Sequence, residues 1–93
     1  MAIIRVHFFL TRERVARNEE LVVHIVNSGC ILNVLAALPL SSGERRLLFD
    51  VDGALQPGVV ILKDGYNVVH LNGLETPVSD GDTVSIIHML AGG

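Results

Sequence analysis

An α+β domain, with one mixed sheet and a main helix packed on one of its faces, is what this sequence predicts. Three observations carry that expectation. Apolar residues alternate with period two near the start, at Ile4, Val6, Phe8 and Leu10, and an apolar run fills residues 83–90 near the end, as strands require. Between them Ile31, Leu32, Val34, Leu35 and Leu38 fall on one helical face. The chain has 93 residues, enough for one domain with a modest core.

Taken in order, residues 2–10 read as the first strand and the polar segment 11–20 as a connecting loop. Residues 21–26 are β-branched and apolar, hence a second strand antiparallel to the first. Asn27-Ser28-Gly29 ends it, with Ser28 as the helix N-cap, and Pro39 stops the helix. Ser41 followed by Glu44 fits a capping box opening a second, shorter helix through Leu47, Leu48 and Phe49. Turns are expected at Asp52-Gly53 and Pro57-Gly58. Residues 59–63 form a strand, Asp64-Gly65 a tight hairpin, and residues 66–71 its return strand. Asn72-Gly73 turns the chain again, Leu74 and Val78 plug the core from a loop, and Asp80-Gly81-Asp82 leads into the final strand, 83–90. The helix needs a sheet face against which to bury its stripe. If the last strand lies beside the first it runs parallel to it, at the centre of a sheet of four to five strands. That arrangement is the β-grasp. Residues 1–90 then form the single domain, and Ala91-Gly92-Gly93 is a flexible tail.

Composition narrows the function. Hydrophobic residues make up 49% and charged residues 18%, a balance that disfavours disorder and leaves apolar surface for a docking partner. The net charge is −3 and the seven Lys and Arg form no run, so nucleic acid is not expected as a direct ligand. No stretch approaches the ~18 apolar residues of a membrane helix. The N-terminal stretch is interrupted by Arg5 and His7, which argues against a signal peptide. The single cysteine, Cys30, precludes an internal disulfide or a four-thiolate metal site, and the cytoplasm is the expected compartment. Cys30 reads as a small buried hydrophobe. His7 and His24 are expected to face each other outward across the first hairpin, as surface residues and not metal ligands. Asp80 and Asp82 supply too few oxygens for calcium and read as turn formers.

The C-terminal third carries a resemblance. Residues 57–65, Pro-Gly-Val-Val-Ile-Leu-Lys-Asp-Gly, and residues 71–84, from Leu-Asn-Gly-Leu to Asp-Gly-Asp-Thr-Val, resemble the MoaD/ThiS sulfur carriers and the ubiquitin-related modifier, a family that includes small archaeal-type modifier proteins. Ala91-Gly92-Gly93 matches the family's tail, and His7-Phe8-Phe9 with Thr11-Arg12-Glu13 looks like its first strand and following loop. MoaD proteins usually carry a Phe-Pro-Pro-like run where this chain has Ile87-His88-Met89, whereas its length and residues 41–53 fit the longer forms.

The resemblance implies a ubiquitin-like β-grasp and a carrier with no catalytic residues of its own. A ubiquitin-activating-type enzyme would use ATP to adenylate the Gly93 carboxylate, and a persulfide donor would convert it to a thiocarboxylate. The sulfur would pass to a molybdopterin or thiazole precursor or to tRNA, with a large synthase subunit as a further partner the resemblance implies. In the alternative, activated Gly93 is captured by lysines of target proteins. No cofactor or metal is bound; ATP belongs to the activating enzyme. Two terminal glycines make physical sense in either reading, because a strip of chain without Cβ atoms enters a slot that bulkier residues cannot. Alternation adds a docking surface: with Val84 and Ile86 facing the helix, Ile87 and Met89 face outward beside Phe9, with Leu90 next to the tail. A β-grasp binding module for RNA or an iron–sulfur cluster is disfavoured by the charge and by the lone cysteine. An enzyme is disfavoured by the absence of a nucleophile–base pair or phosphate loop.

Overall fold

The computed structural model describes residues 1–12, 15–26 and 29–88 and, within them, every side chain except those of 10–12, 15–18 and 88. The alternating start of the chain becomes β1 (Ala2–Arg12), which pairs antiparallel with β2 (Val15–Ile25) in an unbroken register from Ala2 opposite Ile25 to Arg12 opposite Val15. Residues 11–20, expected as a loop, are therefore almost all strand. Leu21, Val23 and Ile25 of β2 pack into or against the core. Residues 15–20 are strand because β1 offers them an unbroken ladder, and backbone pairing does not require the sequence to alternate.

The helical stripe becomes α1 (Ile31–Ala37), with Ile31, Val34, Leu35 and the following Leu38 buried. Leu32 corrects the expectation: it is 47% exposed, since it lies about 100° around the helix from Ile31. Cys30 holds the N-cap position; the expected cap, Ser28, lies outside the described residues. The backbone N–H of Cys30 donates to Asn33 Oδ1 at 2.8 Å, and its Sγ donates to the same oxygen at 3.3 Å. Cys30 is half-buried and not the fully buried hydrophobe expected, because the cap leaves its thiol at the helix rim. The second helix, α2 (Ser42–Leu48), opens on the expected capping box. Glu44 N–H donates to Ser41 Oγ at 3.2 Å, and Ser41 N–H donates to Glu44 Oε1 at 3.0 Å.

Strand β3 (Val59–Lys63) turns at Asp64 and Gly65, whose φ angles of 50° and 89° are both positive, as a two-residue hairpin of matching twist requires. The return strand is far shorter than expected: β4 (Tyr66–Asn67) gives way to a 3₁₀ turn, Val68–His70. Asn67 starts that turn by accepting the N–H of Val69 at 3.0 Å on its side-chain oxygen, and Val68 is thereby driven into the core. Val78 is buried and Leu74 half-buried, as expected of core plugs from a loop. Between them, buried Thr76 ties the loop to itself: its hydroxyl donates to Gly73 O at 2.7 Å and accepts Asn72 N–H at 3.0 Å.

The last strand, β5 (Thr83–His88), pairs parallel with β1 and antiparallel with β3, giving the sheet order β2-β1-β5-β3-β4. The β-grasp expectation holds, with the final strand at the centre. Val84 and Ile86 are fully buried against α1 and the rest of the core, beside Val6, Phe8 and Ile61. Met89 and Leu90, expected to complete the strand, lie outside the described residues.

Candidate functional site

Pairing across three strands assembles the site. Since Val84 and Ile86 point into the core, Ser85 and Ile87 point to the face of the sheet that carries no helix. The registers place Ile87 directly between Phe9 on β1 and Val60 on β3. One row nearer the strand's start, Ser85 lies between His7 and Leu62. The outward face therefore carries an apolar patch of Phe9, Ile87, Val60 and Leu62, of which Phe9 is 42% exposed and the others half-buried. The His7 ring holds the aromatic ring of Phe9 edge-on, with centroids 6.4 Å apart and planes at 82°. On its other side His7 Nε2 bonds Glu20 Oε2 at 3.2 Å, which fixes the imidazole along the patch margin.

Of the residues expected to dock a partner, Phe9 and Ile87 are brought together. Met89, Leu90 and the tail, Ala91, Gly92 and Gly93, lie outside the described residues. Val60 and Leu62 were not singled out from the sequence, although their positions either side of Ile61 carry the signal. Once Ile61 is assigned to the core, both neighbours must face outward. The patch has the features of a protein-binding core: contiguous, apolar, anchored by an aromatic ring and edged by polar groups.

The remaining candidates have other duties. His7 and His24 do not face each other; His24 sits opposite Ile3, because the register pairs residues by a fixed offset that gives His7 the carboxylate of Glu20. Asp80 Oδ1 accepts the N–H of Ile3 at 2.8 Å, and Asp82 Oδ2 accepts the N–H of Ser79 at 2.7 Å while pairing with Lys63 at 3.4 Å. These carboxylates pin the entry of β5 to its neighbours, at the end of the strand away from the patch. Among the described residues no three His, Cys, Asp or Glu gather as a metal site would require, and no helix is long and apolar enough to cross a membrane.

The arrangement offers recognition on a rigid base. β5 is locked on both sides, and the apolar patch lies at the end of the strand from which the chain continues beyond His88.

Comparison with known proteins gives concordant results. A sequence model described as the ThiS family matches residues 33–93. Small archaeal modifier protein 3 of Haloferax volcanii is 31% identical over 90 residues, covering 97% of this chain and 98% of that protein. A putative sulfur carrier protein of Archaeoglobus fulgidus is 50% identical over 64 residues, 67% of this chain and 73% of its own length. Among solved structures, small archaeal modifier protein 1 of Methanosarcina acetivorans superposes with a TM-score of 0.77 at 25% identity, covering 100% of this chain and 98% of that one.

Proposed function

The chain belongs to the ThiS family of small sulfur carriers and ubiquitin-like modifiers, and we propose that it acts through the carboxylate of Gly93. The observation that carries this reading is the family match running unbroken through β3, β5 and the terminal Ala91-Gly92-Gly93. The chemistry is performed on the chain and not by it. An adenylating partner of the ubiquitin-activating type joins the Gly93 carboxylate to AMP and releases pyrophosphate, which turns a poor acyl donor into a good one. The terminal sulfur of a persulfide then displaces AMP to give an acyl disulfide. A thiol reduces that bond, leaving a thiocarboxylate on Gly93 and a disulfide on the donor. The sulfur acceptor is a pterin or thiazole precursor or a tRNA base. The cytoplasm, which supplies ATP and persulfide donors, is the compartment this chemistry needs.

The likeness to Haloferax small archaeal modifier protein 3 favours a second use of the same carbon. A lysine amine of a target protein attacks the activated Gly93, releases AMP and forms an isopeptide bond. Both uses require the adenylate, and both require the outward patch of Phe9, Ile87, Val60 and Leu62 to seat the activating enzyme so that the tail reaches its slot.

ATP–pyrophosphate exchange with the cognate activating enzyme tests the proposal. Deleting Gly92-Gly93, appending one alanine after Gly93, or replacing Gly92 with Val should each abolish exchange. Folding stability should move by less than about 0.5 kcal/mol, since residues beyond the last strand contribute little to a core. Full exchange by the truncated, folded chain would remove the carrier reading. Intact-mass spectrometry then separates the two uses: replacement of oxygen by sulfur on the free chain, or a branch ending in Gly92-Gly93 on partner lysines.

A further inference from the structure

Strand β2 is an edge of the sheet, and its open side is unusually easy to read. On β1, Arg5 N–H donates to Asp82 O at 3.0 Å, and Ile3 O accepts Gly81 N–H at 2.9 Å. Odd-numbered residues of β1 thus turn their backbone groups toward β5, and even-numbered ones toward β2. The register opposes Ile4 to Val23 and Val6 to Leu21, so odd residues of β2 complete that ladder. The N–H and C=O groups of Glu20, Val22 and His24 therefore point away from β1, toward the open side. Edge strands are normally blunted by a bulge, a proline or an inward charge. Here the register is unbroken and there is no proline. The one inward charge, Glu19 opposite Phe8, lies outside residues 20–24, whose inward members Leu21 and Val23 are apolar and whose middle outward side chain, Val22, is apolar and 57% exposed.

We propose that two copies of this chain pair through the open edge of β2, antiparallel, with Val22 of one copy opposite Val22 of the other. Backbone pairing permits this register and the flanking side chains select it. The two-fold axis through Val22 matches outward-pointing backbone groups with their like, so that Val22 meets Val22 and Glu20 meets His24 twice, each as a hydrogen-bonded pair. This ladder contains on the order of six bonds. The same register sets a Glu20 carboxylate opposite a His24 imidazole, an acceptor facing a donor, at both flanks and on the helix-free face. A register centred on Glu20 or on His24 instead opposes that residue to itself, and one centred on Leu21 or Val23 sets Glu20 against Val22 or Val26 in place of His24. The product is a continuous sheet of two copies with the helices on one side. The ends of the two β5 strands point in opposite directions, and the apolar patch around Ile87 remains open on each copy. The contact is one strand pair wide, below the ~1,200 Å² of a standard interface, so it forms at high concentration and exchanges readily.

Sedimentation equilibrium of the full chain from about 20 µM to about 1 mM spans the affinity range of such small contacts. The wild type should shift from monomer to dimer across it. Val22→Pro should weaken the dimer at least about tenfold, because it removes an outward N–H while leaving the β1 ladder intact. Val22→Lys should do the same by placing like charges on the axis, and serves if the proline variant does not fold by circular dichroism. Glu20→Lys should weaken pairing by removing the acceptor opposite His24, and adding His24→Glu should restore it, since a lysine and a carboxylate then face each other in this register. A wild type that remains monomeric at the highest concentration overturns the proposal. So does a dimer indifferent to Val22→Lys, which would lie elsewhere, or a double variant that fails to recover.

Discussion

Arg45 finishes a helix other than its own. Its Nη1 donates to Leu35 O at 3.3 Å, and its Nη2 donates to Ala36 O at 3.3 Å and Leu38 O at 2.8 Å. These are carbonyls at the end of α1, which has no basic residue in its last turn and no glycine cap. A planar guanidinium suits the task because one fork reaches several acceptors and complements the negative end of the helix. Arg45→Ala should therefore cost about 1–3 kcal/mol in urea unfolding, and Arg45→Lys should recover less than half of that. An alanine variant within about 0.5 kcal/mol of wild type would reduce the clasp to a surface contact. Nothing in the sequence sets Arg45 apart from Arg46, because the acceptors are approached through space. The Ser41–Glu44 capping box, by contrast, is legible from the chain alone, since both partners lie within one turn. Thr76 resembles Arg45 in this respect. Its buried hydroxyl is satisfied by a loop whose shape the sequence does not announce.

At the scale of elements, what could be read depended on whether packing or pairing makes the element. The stripe of α1 is a packing signal, and four of its five expected members are buried. Leu35→Ala should lower stability by about 2–5 kcal/mol, and Leu32→Ala, on the exposed flank, by less than about 1 kcal/mol. Equal losses at the two positions in thermal or urea unfolding would refute the assigned face. The far half of the first hairpin is a pairing element: residues 15–20 are strand because β1 offers them a ladder, and their polar sequence disguised it as a loop. The opposite error befell residues 66–71. Their β-branched, apolar composition suggested a full return strand, but Asn67 diverts the backbone after two residues. The outward patch was half legible. Alternation along β5 pointed to Ile87, whereas Val60 and Leu62 joined it only through the register between β3 and β5.

For the whole molecule the decisive feature is that the first and last strands are neighbours, with β5 between β1 and β3. The patch belongs to no single segment; it exists only once all three strands are in register. Ile87→Asp should therefore weaken binding to the activating enzyme by at least about tenfold, as expected when a central apolar anchor gains a charge, while the chain stays folded. Equilibrium titration measures it, and Val22→Lys, at the far edge of the sheet, should bind like wild type. Unchanged affinity for the Ile87 variant would move the docking surface elsewhere. The central position of β5 also governs how the protein is born. While β1, β2 and β3 have left the ribosome, β5 is still inside the exit tunnel, so the sheet lacks its middle and both β1 and β3 present bare edges. Folding of the sheet must wait until β5 has emerged, as long-range pairing generally dictates. A chain released before Thr83 lacks the strand that closes the sheet and is exposed to proteolysis, so the folded pool is restricted to chains that contain β5.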